Sequence, residues 1–276
     1  MTQPTVTFIG GGNMASAIYG GLLDSGFSAT NLSVVDPSVA AQDNARQAGI
    51  ERVFDSAPGE VLLADLIVLA IKPQITQAAL QPLAGRLGPN SLVLSIIAGI
   101  NADSLATLLG LPGAGHIIRC MPNTPALVGE GMSGLYANAD GGSAQGKALA
   151  ERVMSSVGQC VWVDNESDLD VITAISGSGP AYFFLFIESL TEAAVALGMD
   201  GENARKLALQ TALGASRLAS LSQEDAATLR KNVTSPGGTT EQAIRAFEAS
   251  DIRGIVAQAT QAAARRSVEL SKEFGV

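Results

Sequence analysis

Three stretches hold residues whose types and spacing could do chemistry. Gly10, Gly11 and Gly12 follow the apolar run Thr5 to Ile9, and Gly10, Gly12 and Ala15 fit a G-x-G-x-x-A pattern. In that pattern the first glycine allows a tight turn, the second lets backbone N–H groups approach a phosphate, and the small third residue lets a helix pack close to the strand. The helix start then offers its free N–H groups and the positive end of its dipole to an anion. Asp36 stands 26 positions beyond Gly10, at the end of a second apolar run, where an acidic side chain meets a ribose hydroxyl. Much later, Ser235-Pro236-Gly237-Gly238-Thr239-Thr240-Glu241 makes a tight turn into a helix. A turn of this kind leaves several N–H groups unpaired at a helix start, which suits a carboxylate. Helix capping by Thr239 or Thr240 would leave the same pattern.

These residues need a frame. A strand over Val6 to Ile9, a helix from Asn13 to Leu23, a strand over Leu32 to Val35 and a helix from Ser38 to Ala48 give strand–helix–strand order. A short strand near Val53, a helical stretch around Glu60 and strands at Leu66 to Ile71, Leu92 to Ile97, Ile117 to Cys120 and Val161 to Val163 continue it. Such alternation predicts right-handed crossovers and an α/β fold, with a Rossmann-like, doubly wound parallel sheet over residues 1–164. Ligands of open sheets lie outside the carboxyl ends of the strands. Ala70, Ile71, Lys72 and Pro73 at one such end, and Ile96, Ile97 and Ala98 at another, are therefore expected to face a dinucleotide. Lys72 would reach a phosphate or ribose, and Ser95, Ala98 and Gly99 would leave room for a flat ring. A solvated lysine and simple tight packing are the plainer readings of the same residues. Ser38, opening the helix after Asp36, is a candidate to hold a ribose phosphate.

From residue 165 onward strand signals stop. Alanine-rich helices are expected at Pro180 to Leu197, Glu202 to Leu221, Glu224 to Lys231, Thr240 to Ala249 and Ile252 to Phe274, giving an all-helical C-terminal domain over 165–276. Tyr182 to Met199 is apolar enough to raise a membrane span, but Glu188 and Glu192 interrupt it, and a core or subunit-interface helix fits better. The loop Cys120 to Ala126, made rigid by Pro122 and Pro125, is placed to hold Asn123 and Thr124 near a substrate. Ser176 to Tyr182 runs glycines into a helix with Pro180 in its first turn, a pattern that a close crossing of backbones would also produce.

Net charge is −9, from 17 basic and 26 acidic residues, which disfavours nucleic acid and anionic membrane as partners and suits a small-molecule substrate. With no basic leader and apolar run at the N-terminus, Cys120 and Cys160 are expected as reduced thiols of a cytoplasmic protein. His116 is the single histidine, and no metal-ligand spacing is present.

The motifs FIGGGNMA, AIKP, MPNTPA, SGSGPAY and TSPGGTTEQAI, in that order from Phe8 to Ile244, resemble pyrroline-5-carboxylate reductases. That resemblance implies transfer of a hydride to the cyclic C=N bond of 1-pyrroline-5-carboxylate, giving L-proline. It implies an NADP(H) site formed by Ile9, Gly10, Gly11, Gly12, Asn13, Met14, Ala70 to Pro73, Ile96 to Ala98 and Asn232. Glu166, Gly238, Thr239 and Thr240 would contact the substrate, with Thr240 as the catalytic hydrogen-bonding group. It also implies helical domains intertwined in homodimers, often gathered into decamers. On cofactor the two readings pull apart: Asp36 by itself points to NADH, whereas the resemblance favours NADPH, with NADH as a slower alternative. Reductases of the β-hydroxyacid type place a lysine on the helix after a glycine-rich segment, and Ser176 to Glu188 contains none. A non-catalytic dinucleotide sensor would not need the carboxylate turn.

Overall fold

The computed structural model describes residues 3–112, 115–139 and 141–274. The chain divides into two compact units, Met1–Ser178 with Ala263–Val276, and Gly179–Ala262. The first is built on an eight-stranded sheet of β1 (Val6–Ile9), β2 (Leu32–Val35), β3 (Arg52–Phe54), β4 (Leu66–Leu69), β5 (Leu92–Ser95), β6 (Ile117–Met121), β7 (Gly131–Ala137) and β8 (Gly158–Trp162). Their spatial order is 3-2-1-4-5-6-7-8. The first six run parallel, in register from Val6 against Leu32 and Leu66 to Ser95 against Arg119.

Helices α1 (Asn13–Asp24), α2 (Val39–Gln47), α3 (Thr76–Leu80), α4 (Ala102–Leu109) and α5 (Ala144–Met154) cover the sheet. Every residue of β1, β2, β4 and β5 is buried, as expected of strands covered on both faces. One face packs Phe8, Val34, Val68 and Leu94 against Ile18, Tyr19 and Leu22 of α1 and Val153 of α5. The other packs Ile9, Ile67, Leu69 and Val93 against Leu105 and Leu109 of α4. This is the doubly wound arrangement expected from the sequence, with one difference: β7 pairs antiparallel with β6, and β8 runs parallel to β7. Strand β7 carries Gly131 and Gly134, which weaken any strand pattern. Both glycines answer to packing, because a side chain would press on Val157 O at 2.7 Å from Gly131 and on Ile172 from Gly134.

After β8 come α6 (Asp168–Ile172) and a π-helical turn, Thr173–Gly177. The second unit contains α7 (Gly179–Ala196), α8 (Gly201–Leu221), α9 (Ala226–Asn232), α10 (Thr239–Ala249) and most of α11 (Ile252–Phe274), whose end from Ala263 belongs to the first unit. There the Ser267 hydroxyl donates to Asp170 Oδ1 at 2.6 Å. Side-chain caps start α8 and α9: Asp200 accepts from the Asn203 N–H, Asp225 from the Thr228 N–H, and these bonds lower both carboxyl pKa values. The run 168–196 is, by length and composition alone, long and apolar enough to cross a bilayer.

Candidate active site

The glycine loop leaves β1 at its carboxyl end. Gly10 has φ +101° and sits against the Ala70 carbonyl, so close that any side chain would overlap it. Its N–H donates to Val35 O at 2.8 Å, and the Ala70 N–H donates to Ile9 O at 2.8 Å, which draws the ends of β1, β2 and β4 together. Gly12 is different. It holds the N-cap position of α1 without a side-chain cap, and a Cβ built on it would meet nothing within 4 Å. Open space thus lies before a helix start whose first N–H groups, at Asn13 and Met14, have no intrahelical acceptor. These residues fit a pyrophosphate: an anion there finds donors and the positive helix end and displaces no side chain.

Asp36 is already engaged. Its Oδ2 accepts from the Gly11 N–H at 2.7 Å and its Oδ1 from the Ser38 N–H at 2.8 Å. The carboxylate therefore ties the glycine loop to the start of α2, where Ser38 is the N-cap. At β4 the chain passes through Ala70 and Ile71 to an exposed Lys72, with Pro73 opening a short 3-10 turn. Ile96 continues β5 through its N–H to Leu69 O at 3.0 Å, and the Ile97 N–H donates to the buried Ser95 hydroxyl at 3.3 Å. Ile9 to Met14, Asp36, Ser38, Ala70 to Pro73 and Ile96 to Ala98 thus lie along one edge of one sheet.

Glu166 belongs to the same unit. Its Oε1 accepts from the Ala102 N–H, the first of α4, at 2.8 Å and from Arg119 Nη1 at 3.0 Å. Tyr136 lies opposite Arg119 across β6 and β7. Burial, with the charges of Glu166 and Asp103, raises its phenol pKa, and Arg119 lowers it. Sequence reasoning missed Arg119 and Tyr136. The available signal was a charge inside the apolar run Ile117-Ile118-Arg119-Cys120-Met121, which must be paired once the strand is buried. Asn123, expected near a substrate, is instead buried and holds the protein to itself: its Nδ2 donates to Ser176 O at 3.0 Å and its Oδ1 accepts from the Met132 N–H at 2.8 Å. Cys120 is buried and Cys160 half-buried, and burial raises both thiol pKa values. No group of three or more potential metal ligands occurs among the described residues.

The remaining candidates lie in the second unit. Asn232 ends α9, exposed, with Nδ2 donating to Glu224 Oε2 at 2.9 Å. Gly237 has φ +74°, and its N–H donates to Glu241 Oε2 at 2.9 Å, while Arg245 pairs with the other oxygen of Glu241. Gly238 occupies the N-cap of α10 with no side-chain cap, so Thr239 and Thr240 are the first two helical residues and neither caps the helix. The Thr240 hydroxyl stands beside a helix start whose first N–H groups have no side-chain cap.

A glycine loop before an open helix start, at the carboxyl edge of a doubly wound sheet, defines a dinucleotide-binding protein of the Rossmann class. Residues 5–99 match the family model described as NADP oxidoreductase, coenzyme F420-dependent, and residues 166–270 match that for pyrroline-5-carboxylate reductase dimerisation. The chain is 46% identical over 277 residues to the pyrroline-5-carboxylate reductase of Pseudomonas aeruginosa, covering 100% of both chains, and 36% identical over 269 residues to that of Arabidopsis thaliana, covering 97% and 95%. The reductase structure from Coxiella burnetii superposes with TM-score 0.90 at 39% identity, covering 98% of this chain and 99% of its own. That from Plasmodium falciparum, with NADP bound, superposes with TM-score 0.84 at 32% identity and the same coverage. The chain belongs to the pyrroline-5-carboxylate reductase family.

Proposed function

We propose that this protein reduces 1-pyrroline-5-carboxylate to L-proline with NADPH, the last step of proline biosynthesis, and that NADH serves more slowly. The observation that carries the reading is the pairing, in one chain of this family, of an open glycine-loop helix start with an uncapped helix start beside the Thr240 hydroxyl. A dinucleotide whose pyrophosphate is held at the first would supply the hydride from its dihydronicotinamide ring. The imine is already an electrophile, so the protein needs no nucleophile; its task is to hold two rings in contact, and such orientation contributes several kcal/mol.

The N–H groups after Gly238 hold the substrate carboxylate, with Thr239 beside them. Thr240 hydrogen-bonds the ring nitrogen, with water as the ultimate acid, since a threonine hydroxyl is too weak an acid to protonate it alone. Glu166 favours the cationic ring. At the cofactor, Asn13 and Met14 hold the pyrophosphate, Lys72 an outer phosphate or ribose, Ile96 to Ala98 the ring, and Asn232 completes the contacts. Because Asp36 spends both oxygens on backbone N–H groups, its carboxylate is committed within the loop. Ser38 and the start of α2 then hold the 2′-phosphate of NADPH.

The helical region over 165–276 serves substrate binding and dimerisation. The protein is a homo-oligomer, its dimers gather into decamers, and it works in the cytoplasm without nucleic acid or membrane. The test is spectrophotometric: NADPH oxidation that depends on 1-pyrroline-5-carboxylate, with proline as product. No oxidation with purified, folded protein refutes the assignment, and light scattering in multiples of 28.1 kDa checks the assembly.

A further inference from the structure

Five strands meet at one level of the sheet: Ile9, Leu69, Ser95, Arg119 and Tyr136 are successive partners across β1, β4, β5, β6 and β7. The row is apolar beneath the glycine loop and polar beyond it. Ile118 and Cys120 point into the core on the α1 side, so by the two-residue period of a strand Arg119 points to the α4 side, with Ile117. There its side chain is 12% exposed, and Glu166, at 28%, is its ionic partner.

Two features go beyond a plain buried ion pair. The Arg119 Nε–H is buried without a hydrogen-bond partner among the described residues, a cost that packing alone gives no reason to bear. Glu166, in turn, uses the same Oε1 for Arg119 and for the first N–H of α4, and no bond to Oε2 occurs among the described residues. The segment from Ile96 to Asn101 is consequently fastened at both ends, by Ser95 at the Ile97 N–H and by Glu166 at the Ala102 N–H. This segment begins with Ile96 to Ala98, assigned above to the reacting ring of the cofactor.

We infer that Arg119 is a positioning residue for the reduction, holding Glu166 so that one oxygen fastens α4 while the other stays available to the reacting ring. The inference rests on the functional reading above. Arg119 itself touches neither substrate nor cofactor; it acts through Glu166 and the Ile96–Asn101 segment. Loss of the guanidinium therefore disturbs the ring end of the cofactor and leaves the pyrophosphate end, on α1, intact.

The experiment compares wild type, Arg119→Met, Arg119→Lys, Glu166→Gln and the Arg119→Met/Glu166→Gln double variant. Each is assayed for kcat with 1-pyrroline-5-carboxylate and for NADPH affinity by nucleotide fluorescence. In Arg119→Met, kcat is expected to fall about a hundredfold, the loss that a small misplacement of reacting groups produces, with NADPH Kd unchanged. Lysine can restore the single charged bond that Arg119 makes to Glu166 but not the planar guanidinium, so Arg119→Lys should recover about tenfold of that loss. The double variant should be no slower than the slower single one, because both substitutions break one unit. Wild-type kcat in Arg119→Met, or losses that multiply in the double variant, overturns the inference. So does a fall in kcat matched by an equal loss of NADPH affinity, the result expected of general destabilisation. If Arg119→Met does not fold, Arg119→Lys decides: lower kcat at unchanged Kd supports the inference, and wild-type kcat overturns it. A wild-type protein inactive on 1-pyrroline-5-carboxylate refutes the function instead, whereas an active wild type with indifferent variants refutes only the role of Arg119.

Discussion

The two compact units treat their apolar side chains in opposite ways. In the first, Val6, Phe8, Ile18, Leu22, Leu66, Ile67 and Leu94 are essentially inaccessible, and the sheet closes a core on each face. In the second, the hydrophobic side chains buried among the described residues are Ala204 and Ala208, while Phe183, Phe184 and Leu185 of α7 are each more than 60% exposed. Exposed aromatic surface on this scale is uncommon on a monomer, and the family's dimerisation region spans 166–270. One unit folds around its own core; the other leaves apolar side chains open, which the dimer proposed above would cover with a second copy of the chain. Stability and chemistry therefore depend on different things in the two units.

The sharpest way to break this contrast is to put a charge on the unfinished face. Phe184→Asp is expected to reduce light-scattering mass to the monomer and to lower activity about a hundredfold or more, since an unpaired carboxylate cannot be buried in an apolar contact. An active Phe184→Asp dimer would move the interface elsewhere. Next is Thr240→Ala, which removes one hydrogen bond in the second unit and touches no core: kcat should fall by roughly ten- to a thousandfold, about 1.4–4 kcal/mol, with Tm and NADPH affinity retained. Wild-type turnover would reject the assignment of Thr240.

Gly12→Val probes the first unit. Because a Cβ at Gly12 meets nothing, Tm should hold, while NADPH affinity drops about tenfold or more as the side chain takes the phosphate's space. Unchanged affinity would place the pyrophosphate elsewhere. The smallest effect is expected from Asp36→Asn, which should weaken NADPH and NADH alike, by about fivefold, because the carboxylate holds two loop N–H groups. A loss confined to NADH, measured as kcat/KM for each cofactor, would show that the carboxylate contacts the ribose.

Strands β1, β2, β4 and β5 were legible because burial on both faces makes them unbroken apolar runs, and α11 because its period is long and regular. Strand β7 was not, since its glycines remove the side chains by which strands are recognised and its place depends on Ile172 and Val157, distant in sequence. The cofactor loop could be read because its chemistry is local to Gly10 through Ala15. The engagement of Asp36 and the pairing of Arg119 with Glu166, 47 positions apart, could not, because both depend on which backbone groups tertiary folding brings within reach. Whether Thr239 caps α10 was open for the same reason: the answer lies in the backbone angles of Gly238.

The reversal at β7 has a consequence for how such a chain can be extended. Two strands running against the other six send the backbone away from the cofactor edge and let α6 bring it back, with Gly177 against Met121 and Ser176 O bound by Asn123 just past the end of β6. The first unit therefore closes, at Ser178, on the edge of the sheet where β1 to β6 end. The sheet thus acts as a socket: whatever sequence follows Ser178 starts from the carboxyl edge of the strands, just past the end of β6.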